Sequence, residues 1–410
     1  MKKTVILFLC VILAAGMVFA SGRGQQSSGV KTLSLTSWGP IEQSIFDNFT
    51  AKNPGIKIDF QQINDAAQYS QIVRTRLAGG DDIDMMGVRT EDFRDFHRQG
   101  FLADLTNLPI MNSFIPTTLT PITVNGRIYA IPTFIAAEAA WYNKDIFAKY
   151  NIQIPKTYDE FLAVCATLKR NGIPPQVSPL KDGWPSFEIA LGPFQALVEK
   201  NPNIFADLET GKAKWTDPEF VDVFTKFKAF VDAGYVMEGS TGLDWQGAQQ
   251  QWCKGAAAMY IDGSWNCGSI KEYGPTFNVG VFVVPQNGPG GTPAVSLLDG
   301  LWYSANAKGK NLSESLKFLE YFGDWNGGLS SYCISNGYIP SVKNVSVSDP
   351  LVNLWVPVIS GKGFPSFRTQ LLPGPTNALF SELMEVFSGV KTPAAACAAM
   401  QAEQNRANNF

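Results

Sequence analysis

The sequence predicts an α/β protein built around a parallel sheet, and two observations lead to this prediction. Residues 31–62 show the alternating pattern of a strand, then apolar residues at helical spacing, then a second strand. A strand, helix and strand in this order typically form a parallel pair joined by a crossover helix. Helices and strands continue to alternate towards the C-terminus, and no repeat of fixed length is visible.

The individual elements follow from local periodicity and turn residues. KTLSLTSW alternates apolar and polar residues, and Pro54 and Gly55 separate the first helix from the strand IKIDFQQI. Thr157, followed three residues later by Glu160, has the spacing of a capping box at the start of a helix. The other predicted strands are IDMMGV, two strands within 125–147, AAAMYI and FNVGVFVVP. The predicted helices cover 41–52, 67–78, 91–100, 155–169, 185–199, 218–233, 244–254, 312–322, 379–387 and a last segment beyond Pro393, and GPGG at 288–291 is predicted to be a loop.

The N-terminus has the features of a secretory signal. Residues 1–20 combine two lysines, an apolar run too short for a membrane anchor, and a small residue before the expected cleavage site after Ala20. Residues 21–30 are rich in Gly, Ser and Gln and are expected to form a flexible tether. Cleavage leaves 31 basic and 36 acidic residues, a net charge of −5. Because no cysteine stands at the cleavage site, we expect an exported soluble protein without a lipid anchor.

Charge and composition argue against several classes of protein. A nucleic-acid-binding protein is excluded because the chain has no basic block or arginine-rich stripe. His97 is the only histidine, so neither a Ser-His-Asp triad on a second imidazole nor a multi-histidine metal site can be assembled. We expect no cofactor and no enzymatic activity, although Glu138 and Asp262 together resemble a glycosidase pair and keep a glycoside-acting enzyme as an alternative.

Five cysteines follow the signal segment, and an odd number leaves at least one thiol unpaired within a single chain. Cys253 and Cys267 flank a predicted strand and are the best candidates for a pair. A core of this size does not need disulfides, so the simpler prediction is that the cysteines are small buried apolar residues.

Five motifs in a fixed order resemble one protein family. NGRIYAIP, WYNKDIF, IPKTYDEFLAVCATLK, GAAAMYIDGSW and VGVFVVP are similar, in sequence and spacing, to the extracellular solute-binding proteins of ATP-driven sugar importers, the group that includes maltose-binding protein. The resemblance extends from Lys31 to about Asn405. The segment VSLLDGLWYS departs from the family pattern, because Asp299, Gly300 and Trp302 replace its glycine pair and smaller residues.

The resemblance implies a periplasmic-binding-protein fold of type II-like architecture, in which crossing strands join two lobes that close over a ligand. The lobes are expected to comprise 31–138 with 286–325, and 139–285 with 326–410. The implied function is the capture of a sugar or oligosaccharide in the periplasm or outside the cell. The implied partners are a transmembrane permease and its ATPase, to which the protein would bind as a monomer.

Aromatic residues near strand ends are the first candidates for ligand contacts, because sugars present apolar C–H faces that stack on flat rings. In open α/β sheets, ligands bind beyond the carboxyl ends of strands, so Asp262 and Trp265 are expected to project into the cleft after AAAMYI. The resemblance also places Trp265 at a position that commonly stacks on sugar. The other aromatic candidates are Trp38, Trp184, Trp245 and Trp302; packing within the protein is the alternative for each ring.

Polar candidates complete the predicted site. Glu138 lies in the apolar stretch FIAAEAAWY, where a charge is costly without a partner, and it matches a family position that often hydrogen-bonds sugar hydroxyls. A buried ion pair with an arginine is the alternative for Glu138, and a solvated side chain is the alternative for Arg368. The remaining candidates are Glu42, Thr90, Glu91 and Asp299. Because aromatic and acidic residues predominate, the sequence favours a neutral sugar, with a cationic, polyamine-like solute as the second possibility.

Overall fold

The computed structural model describes residues 29–64, 66–80, 83–286 and 292–408. The predicted signal peptide, all but the last two residues of the predicted tether, and the predicted GPGG loop lie outside the described residues. Within them the chain is mixed α/β, as predicted, and forms two lobes around two main sheets. None of the helices in the described ranges is long and apolar enough to cross a membrane.

The first lobe is built on a five-stranded sheet of order β2-β1-β3-β12-β6. β1 pairs in parallel with both β2 and β3, which confirms the predicted parallel sheet, while β12 pairs antiparallel with β3 and β6. The strands of this sheet are β1 Lys31–Ser37, β2 Ile56–Gln62, β3 Met85–Val88, β6 Ile131–Pro132 and β12 Trp302–Ala305. A separate small hairpin pairs β4 Thr123–Val124 with β5 Arg127–Ile128.

The second lobe is built on a seven-stranded sheet around one long strand, β7 Phe134–Asn143. β7 pairs antiparallel with β9, β10, β11 and β13, so it contributes backbone hydrogen bonds to most of the sheet. The other strands are β8 Gln176–Val177, β9 Met259–Gly263, β10 Val279–Phe282, β11 Val295–Asp299, β13 Ile339–Pro340 and β14 Gly363–Pro365.

The helices lie outside these sheets and bury their apolar faces against them. Their bounds are α1 Gln43–Lys52, α2 Ala66–Ala78, α3 Thr90–Arg98, α4 Pro116–Leu119, α5 Lys144–Lys149, α6 Tyr158–Arg170, α7 Ser186–Ile189, α8 Leu191–Lys200, α9 Ile204–Glu209, α10 Pro218–Asp232, α11 Trp245–Cys253, α12 Cys267–Tyr273, α13 Leu312–Gly323, α14 Ser330–Asn336, α15 Pro350–Ile359, α16 Phe367–Gln370, α17 Pro373–Phe387 and α18 Pro393–Asn408.

Two predicted elements show how local sequence controls the helices. The hydroxyl of Thr157 accepts a hydrogen bond from the Glu160 N–H at 3.2 Å, so Thr157 caps α6 as predicted. The single helix predicted over 185–199 is instead divided into α7 and α8 at Ala190, which has φ −107° and ψ 19°. Pro193 has no N–H to donate to the carbonyl four residues earlier, which favours this break.

The chain passes between the lobes at three places. β7 already belongs to the second sheet at Phe134, close to the predicted first crossing. β11 is still part of that sheet, and the chain re-enters the first sheet only at β12. Tyr332 and Cys333 of α14 lie in the core of the first lobe, so the last crossing follows α14. The exact lobe boundaries stay a prediction, and the strand pairing favours later positions than 286 and 325 for the second and third crossings.

Both lobes have extensive hydrophobic cores, and the cysteines are buried in them. Cys165, Cys253, Cys267, Cys333 and Cys397 are all buried and all unpaired. The prediction that they act as small apolar core residues is therefore confirmed, and the alternative pairing of Cys253 with Cys267 is not formed.

Candidate functional site

Two half-buried tryptophans face each other at the edge of the second lobe. The rings of Trp184 and Trp265 are 6.4 Å apart at an angle of 56°. Trp265 lies in the short turn after β9, and its ring covers Gly263 so closely that a Cβ there would come within 2.1 Å of it. Gly263 is therefore required for the ring to adopt this position, and the strand continues two residues farther than AAAMYI suggested.

Arg368 lies beside this pair of rings. Its guanidinium carbon is 5.2 Å from the centre of the Trp184 ring, a geometry that permits a cation–π interaction. Its Nε donates a 2.7 Å hydrogen bond to Oε1 of Glu138. The two residues are 230 positions apart in the chain and meet because α16 follows β14 at the edge of the second sheet.

Glu138 is fully buried and has every carboxylate oxygen occupied. Oε1 accepts from Arg368, and Oε2 accepts from the hydroxyls of Ser296 at 2.5 Å and Ser366 at 2.7 Å. This is the buried ion pair with an arginine that the sequence left open as an alternative. The expected direct contact between Glu138 and a ligand is not supported in this arrangement, because the carboxylate has neither a free oxygen nor exposed surface.

Two further buried carboxyl groups, those of Glu188 and Asp262, lie near Glu138. Glu188, on α7, is fully buried, and its Oε1 is 3.9 Å from Nε of Arg368. Neither of its oxygens accepts a hydrogen bond from the described residues. Burial, and next the negative charge of Glu138, raise the pKa of Glu188 well above its usual value.

Asp262 is buried inside β9 instead of projecting beyond it. Its carboxylate accepts hydrogen bonds from the hydroxyl of Tyr260 and, at 2.7 Å, from the N–H of Gly263. Burial raises the pKa of Asp262 to about 6, while these hydrogen bonds oppose the shift. Its side chain is 0% exposed, so contact with a ligand would require movement of the residues that cover it.

The raised pKa of Asp262 predicts a specific pH dependence of stability. The folded state holds this proton more tightly than the unfolded chain, in which the ordinary value is 3.8. The contribution of Asp262 to stability is therefore greatest below pH 3.8 and is lost as the pH rises towards about 6. Asp262→Asn cannot titrate, so the unfolding free energy of the variant minus that of the wild type should increase over this interval and then level off.

Urea denaturation at half-unit pH steps would measure this difference. Asparagine keeps one acceptor oxygen, so the hydrogen bond from either Tyr260 or Gly263 is lost and adds an offset; the shape of the difference, and not its absolute size, therefore carries the result. A flat difference from pH 4 to pH 7 would contradict the prediction.

The first lobe brings Glu91 towards the same guanidinium. Glu91 lies in the first turn of α3 and forms a 3.1 Å ion pair with Arg89. Burial alone would raise the pKa of Glu91, but the positive charges of Arg89 and of Arg368 lower it, so Glu91 is ionised. Thr90, the first residue of α3, is half-buried beside it. Glu91 and Arg368 thus interact electrostatically across the space between the lobes.

Other contacts also join the lobes. α3 contacts both α16 and α17, and Arg94 forms a 2.6 Å ion pair with Glu209 of the second lobe. A cavity of about 240 Å³ lies between the lobes next to Glu91. Its walls are formed by Ser70, Gln71, Arg74, Arg89, Glu91 and Asp92 from the first lobe and by Pro373, Gly374, Thr376 and Asn377 from the second. These contacts describe a closed or nearly closed arrangement.

Trp38 and Glu42 lie on the first-lobe side, as expected from their positions after β1. Trp38 is half-buried, and its ring is 5.0 Å from that of Tyr69. Oε1 of Glu42 accepts a 3.0 Å hydrogen bond from Asn336, whereas its Oε2 is buried without a hydrogen-bond partner among the described residues. Burial raises the pKa of Glu42. An unsatisfied buried acceptor of this kind is costly, which makes Glu42 a good candidate to receive a ligand hydroxyl.

Three of the predicted residues are placed less favourably. Trp302 is only 1% exposed and packs edge-on against Phe93 in the core of the first lobe, so its ring cannot contact a ligand in this arrangement. Trp245 is half-buried at the start of α11, where its backbone N–H donates to Asp182 at 2.7 Å. Asp299 ends β11 opposite Ile135, and its side chain lies outside the described part of the structure.

The sequence reasoning missed Glu188. The signal was present, because Glu188 is a single charge within the otherwise apolar run FEIALGPF, the same feature that identified Glu138. The partner of each buried carboxyl group could not be inferred from such a run, since it comes from a distant part of the chain.

Comparison with known proteins identifies a matching family and several similar proteins. A family model described as bacterial extracellular solute-binding protein matches residues 33–324. An ABC transporter extracellular-binding protein of Pyrococcus horikoshii is 30% identical over 55% of this chain, and the alignment spans about half, 53%, of that protein. A multiple sugar-binding protein of Streptococcus mutans is 23% identical over 68% of this chain and 67% of its own length. A melibiose/raffinose/stachyose-binding protein of Bacillus subtilis is 26% identical over 41% of this chain and 40% of its own.

Solved structures share the fold over almost the whole chain. A chitin oligosaccharide binding protein superimposes with a TM-score of 0.82 at 24% identity, covering 93% of this chain and 99% of its own. A sugar transporter from Bacillus licheniformis in complex with stachyose superimposes with a TM-score of 0.79 at 18% identity, covering 92% of this chain and 100% of its own. At these identities the likeness supports the two-lobe fold.

Proposed function

The chain belongs to the bacterial extracellular solute-binding protein family, and we propose on that basis that it captures a sugar or oligosaccharide for an ATP-driven importer. The observation that carries the proposal is the juxtaposition of Trp184, Trp265 and Arg368 at the face of the second lobe that meets the first. Aromatic surfaces beside a fixed donor suit a ligand with apolar faces and hydroxyl edges.

The ligand class is supported by the relatives, whose names describe the binding of multiple sugars and of melibiose, raffinose and stachyose. The local chemistry agrees with these names. Trp265 and Trp184 would stack on pyranose faces, Arg368 would donate to hydroxyl oxygens, and Glu42 would accept from a hydroxyl on the first-lobe side.

The charges of the site disfavour the two alternatives. A cationic ligand needs an unpaired anion, and two of the candidate anions are already paired, Glu138 with Arg368 and Glu91 with Arg89, which leaves it fewer partners. A glycosidase would need Glu138 and Asp262 to face the substrate, whereas both are fully buried and hydrogen-bonded within the protein. A binding protein without enzymatic activity is therefore the function that the geometry supports best.

Capture would be completed by closure of the lobes. The contacts of α3 with α16 and α17, and the ion pair between Arg94 and Glu209, would form only when the lobes approach. We further propose that the protein acts as an exported monomer, and that the closed form docks on a transmembrane permease and its ATPase. The family description supports the extracellular location, the name of the Pyrococcus horikoshii relative supports the importer, and the monomeric state rests on the resemblance noted above.

A thermal-shift screen tests the proposed ligand class. A ligand that binds only the folded state at about 100 times its Kd should add ~2.7 kcal/mol to the unfolding free energy and raise the Tm. We expect a rise with at least one of galactose, melibiose, raffinose, stachyose and maltotriose, and none with spermidine or galacturonate. A shift with spermidine alone would favour the cationic alternative and contradict the proposal.

A further inference from the structure

We propose that Glu138 determines ligand specificity without touching the ligand, by holding Arg368 in position and cancelling its charge. Neutral sugars would then be preferred over sugar acids. This inference rests on the proposed function, since it assigns a role to residues behind the same site. It also assigns the buried carboxylate of Glu138 a role other than the expected hydrogen bond to a sugar hydroxyl.

Glu138 sets the orientation of Arg368. Its Nε donates to Glu138, and no acceptor for either Nη group is found among the residues that the structure describes. The side chain keeps 11% of its surface exposed. Because the guanidinium is planar, fixing Nε towards Glu138 turns the Nη edge away from the buried side, and the Trp184 ring supports one face of the plane. The free donors therefore point to the space between the lobes.

Glu138 is itself held rigidly. The hydroxyls of Ser296 and Ser366 both donate to Oε2 of Glu138, and the backbone of Glu138 lies in the central strand β7. A carboxylate held by two hydroxyls and one guanidinium has a single favourable orientation. Arg368 is thus fixed before a ligand arrives, which reduces the ordering cost of binding.

The positive charges at the site are paired. Glu138 neutralises Arg368 and Glu91 is paired with Arg89, while burial, and next the charge of Glu138, raise the pKa of Glu188. Tyr260 and Asp262 on β9 also interact electrostatically with Glu188, and neither carries a positive charge. The donors of Arg368 therefore act on a ligand without net positive charge behind them. A carboxylate ligand would meet no excess cation and would approach Glu91 on the opposite lobe.

The experiment compares Glu138→Gln with Glu188→Gln. Kd values are measured by calorimetry for galactose, raffinose, stachyose and maltotriose, and for galacturonate and digalacturonate, at two salt concentrations. In Glu138→Gln the affinity for the neutral sugar that binds the wild type best should fall about tenfold or more, because a charged hydrogen bond that positions Arg368 is lost. Galacturonate or digalacturonate should bind more tightly than to the wild type, and the gain should shrink at high salt, because Arg368 then lacks its nearest negative charge.

Glu188→Gln is the matched control, since it replaces a neighbouring buried carboxyl group that lies 3.9 Å from Nε of Arg368 and does not hydrogen-bond to it, and the ratio of acid to neutral affinity should stay unchanged. If Glu138→Gln does not fold, Ser366→Ala is used, which removes one donor to Glu138 and keeps the charge. It should weaken neutral-sugar binding several-fold without any gain for the acids.

Three outcomes are decisive. If the wild type binds a neutral sugar and neither Glu138→Gln nor Ser366→Ala changes its affinity, the positioning role is overturned. If Glu138→Gln loses neutral-sugar affinity but gains none for the acids, the charge-balancing role is overturned. If the wild type binds none of the neutral sugars, the proposed function itself fails, and this inference fails with it.

Discussion

Replacing Arg368 with methionine is expected to lower the free energy of unfolding by about 3–5 kcal/mol, the typical cost of removing one partner from a buried ion pair. Glu138 is 0% exposed and would remain in the core beside the hydroxyls of Ser296 and Ser366, without its cationic partner. Methionine keeps much of the volume, so the loss would arise from the isolated charge and not from a cavity. Urea denaturation at pH 7 measures it directly.

Arg94→Met is the matched control for this change. Arg94 also pairs with a glutamate, Glu209, but the two side chains are 58% and 36% exposed. An exposed pair contributes about 0–1 kcal/mol, so this variant should be nearly as stable as the wild type. Equal effects of the two substitutions would show that burial of the Glu138 pair has no energetic consequence.

A double-mutant cycle separates the pair from its surroundings. Adding Glu138→Gln to Arg368→Met removes the isolated charge, and the double variant should be more stable than Arg368→Met alone. The two changes would then be strongly non-additive, as expected for groups in direct contact. Additive losses would mean that Arg368 and Glu138 stabilise the fold through different neighbours.

The sequence predicted the fold class because its signals are local. The strand, helix and strand at 31–62 and the cap at Thr157 are determined by residues a few positions apart, and the structure contains both. The division between α7 and α8 was missed because the apolar spacing of the segment is compatible with one continuous helix. Local patterns thus identify elements better than their interruptions.

The candidate site was predictable only in part, since it depends on contacts between distant residues. The sequence showed that Glu138 needed a partner, but the partner comes from Arg368, 230 positions later. Asp262 was expected beyond the end of a strand, and pairing of Ala139 with Asp262 extends β9 instead. Which residues occupy the last positions of a strand is decided by its neighbours in the sheet, and the sequence alone does not identify them.

Trp302 illustrates the same limit. It was considered a ligand contact because it was expected near a strand end, yet it begins β12, between β3 and β6, and pairs with Val88 and Pro132. A residue in an inner strand of a sheet covered by helices is buried whatever its chemistry. Trp265 resembles it in sequence context but lies in a turn after the last residue of β9, and its ring stays half-buried.

This contrast gives the second large effect. Trp302→Ala should lower the free energy of unfolding by about 3–5 kcal/mol, because a fully buried indole leaves a cavity that its neighbours cannot fill. Trp265→Ala should leave stability closer to that of the wild type and instead weaken sugar binding by about 1–3 kcal/mol, the range of an aromatic binding contact. Trp302→Ala should thus mainly reduce stability, whereas Trp265→Ala should mainly reduce ligand affinity.

This difference is tested by measuring, on both variants, the unliganded Tm and the Kd for the sugar that binds best in the screen. Trp302→Ala should bind the sugar with near-normal affinity at a temperature where it is fully folded, since its ring packs against Phe93 and not against the space between the lobes. A large stability loss in Trp265→Ala with normal binding would show that its ring is a packing residue. The proposed aromatic surface would then consist of Trp184 alone. The close packing of the Trp265 ring on Gly263 would then have no role in ligand binding.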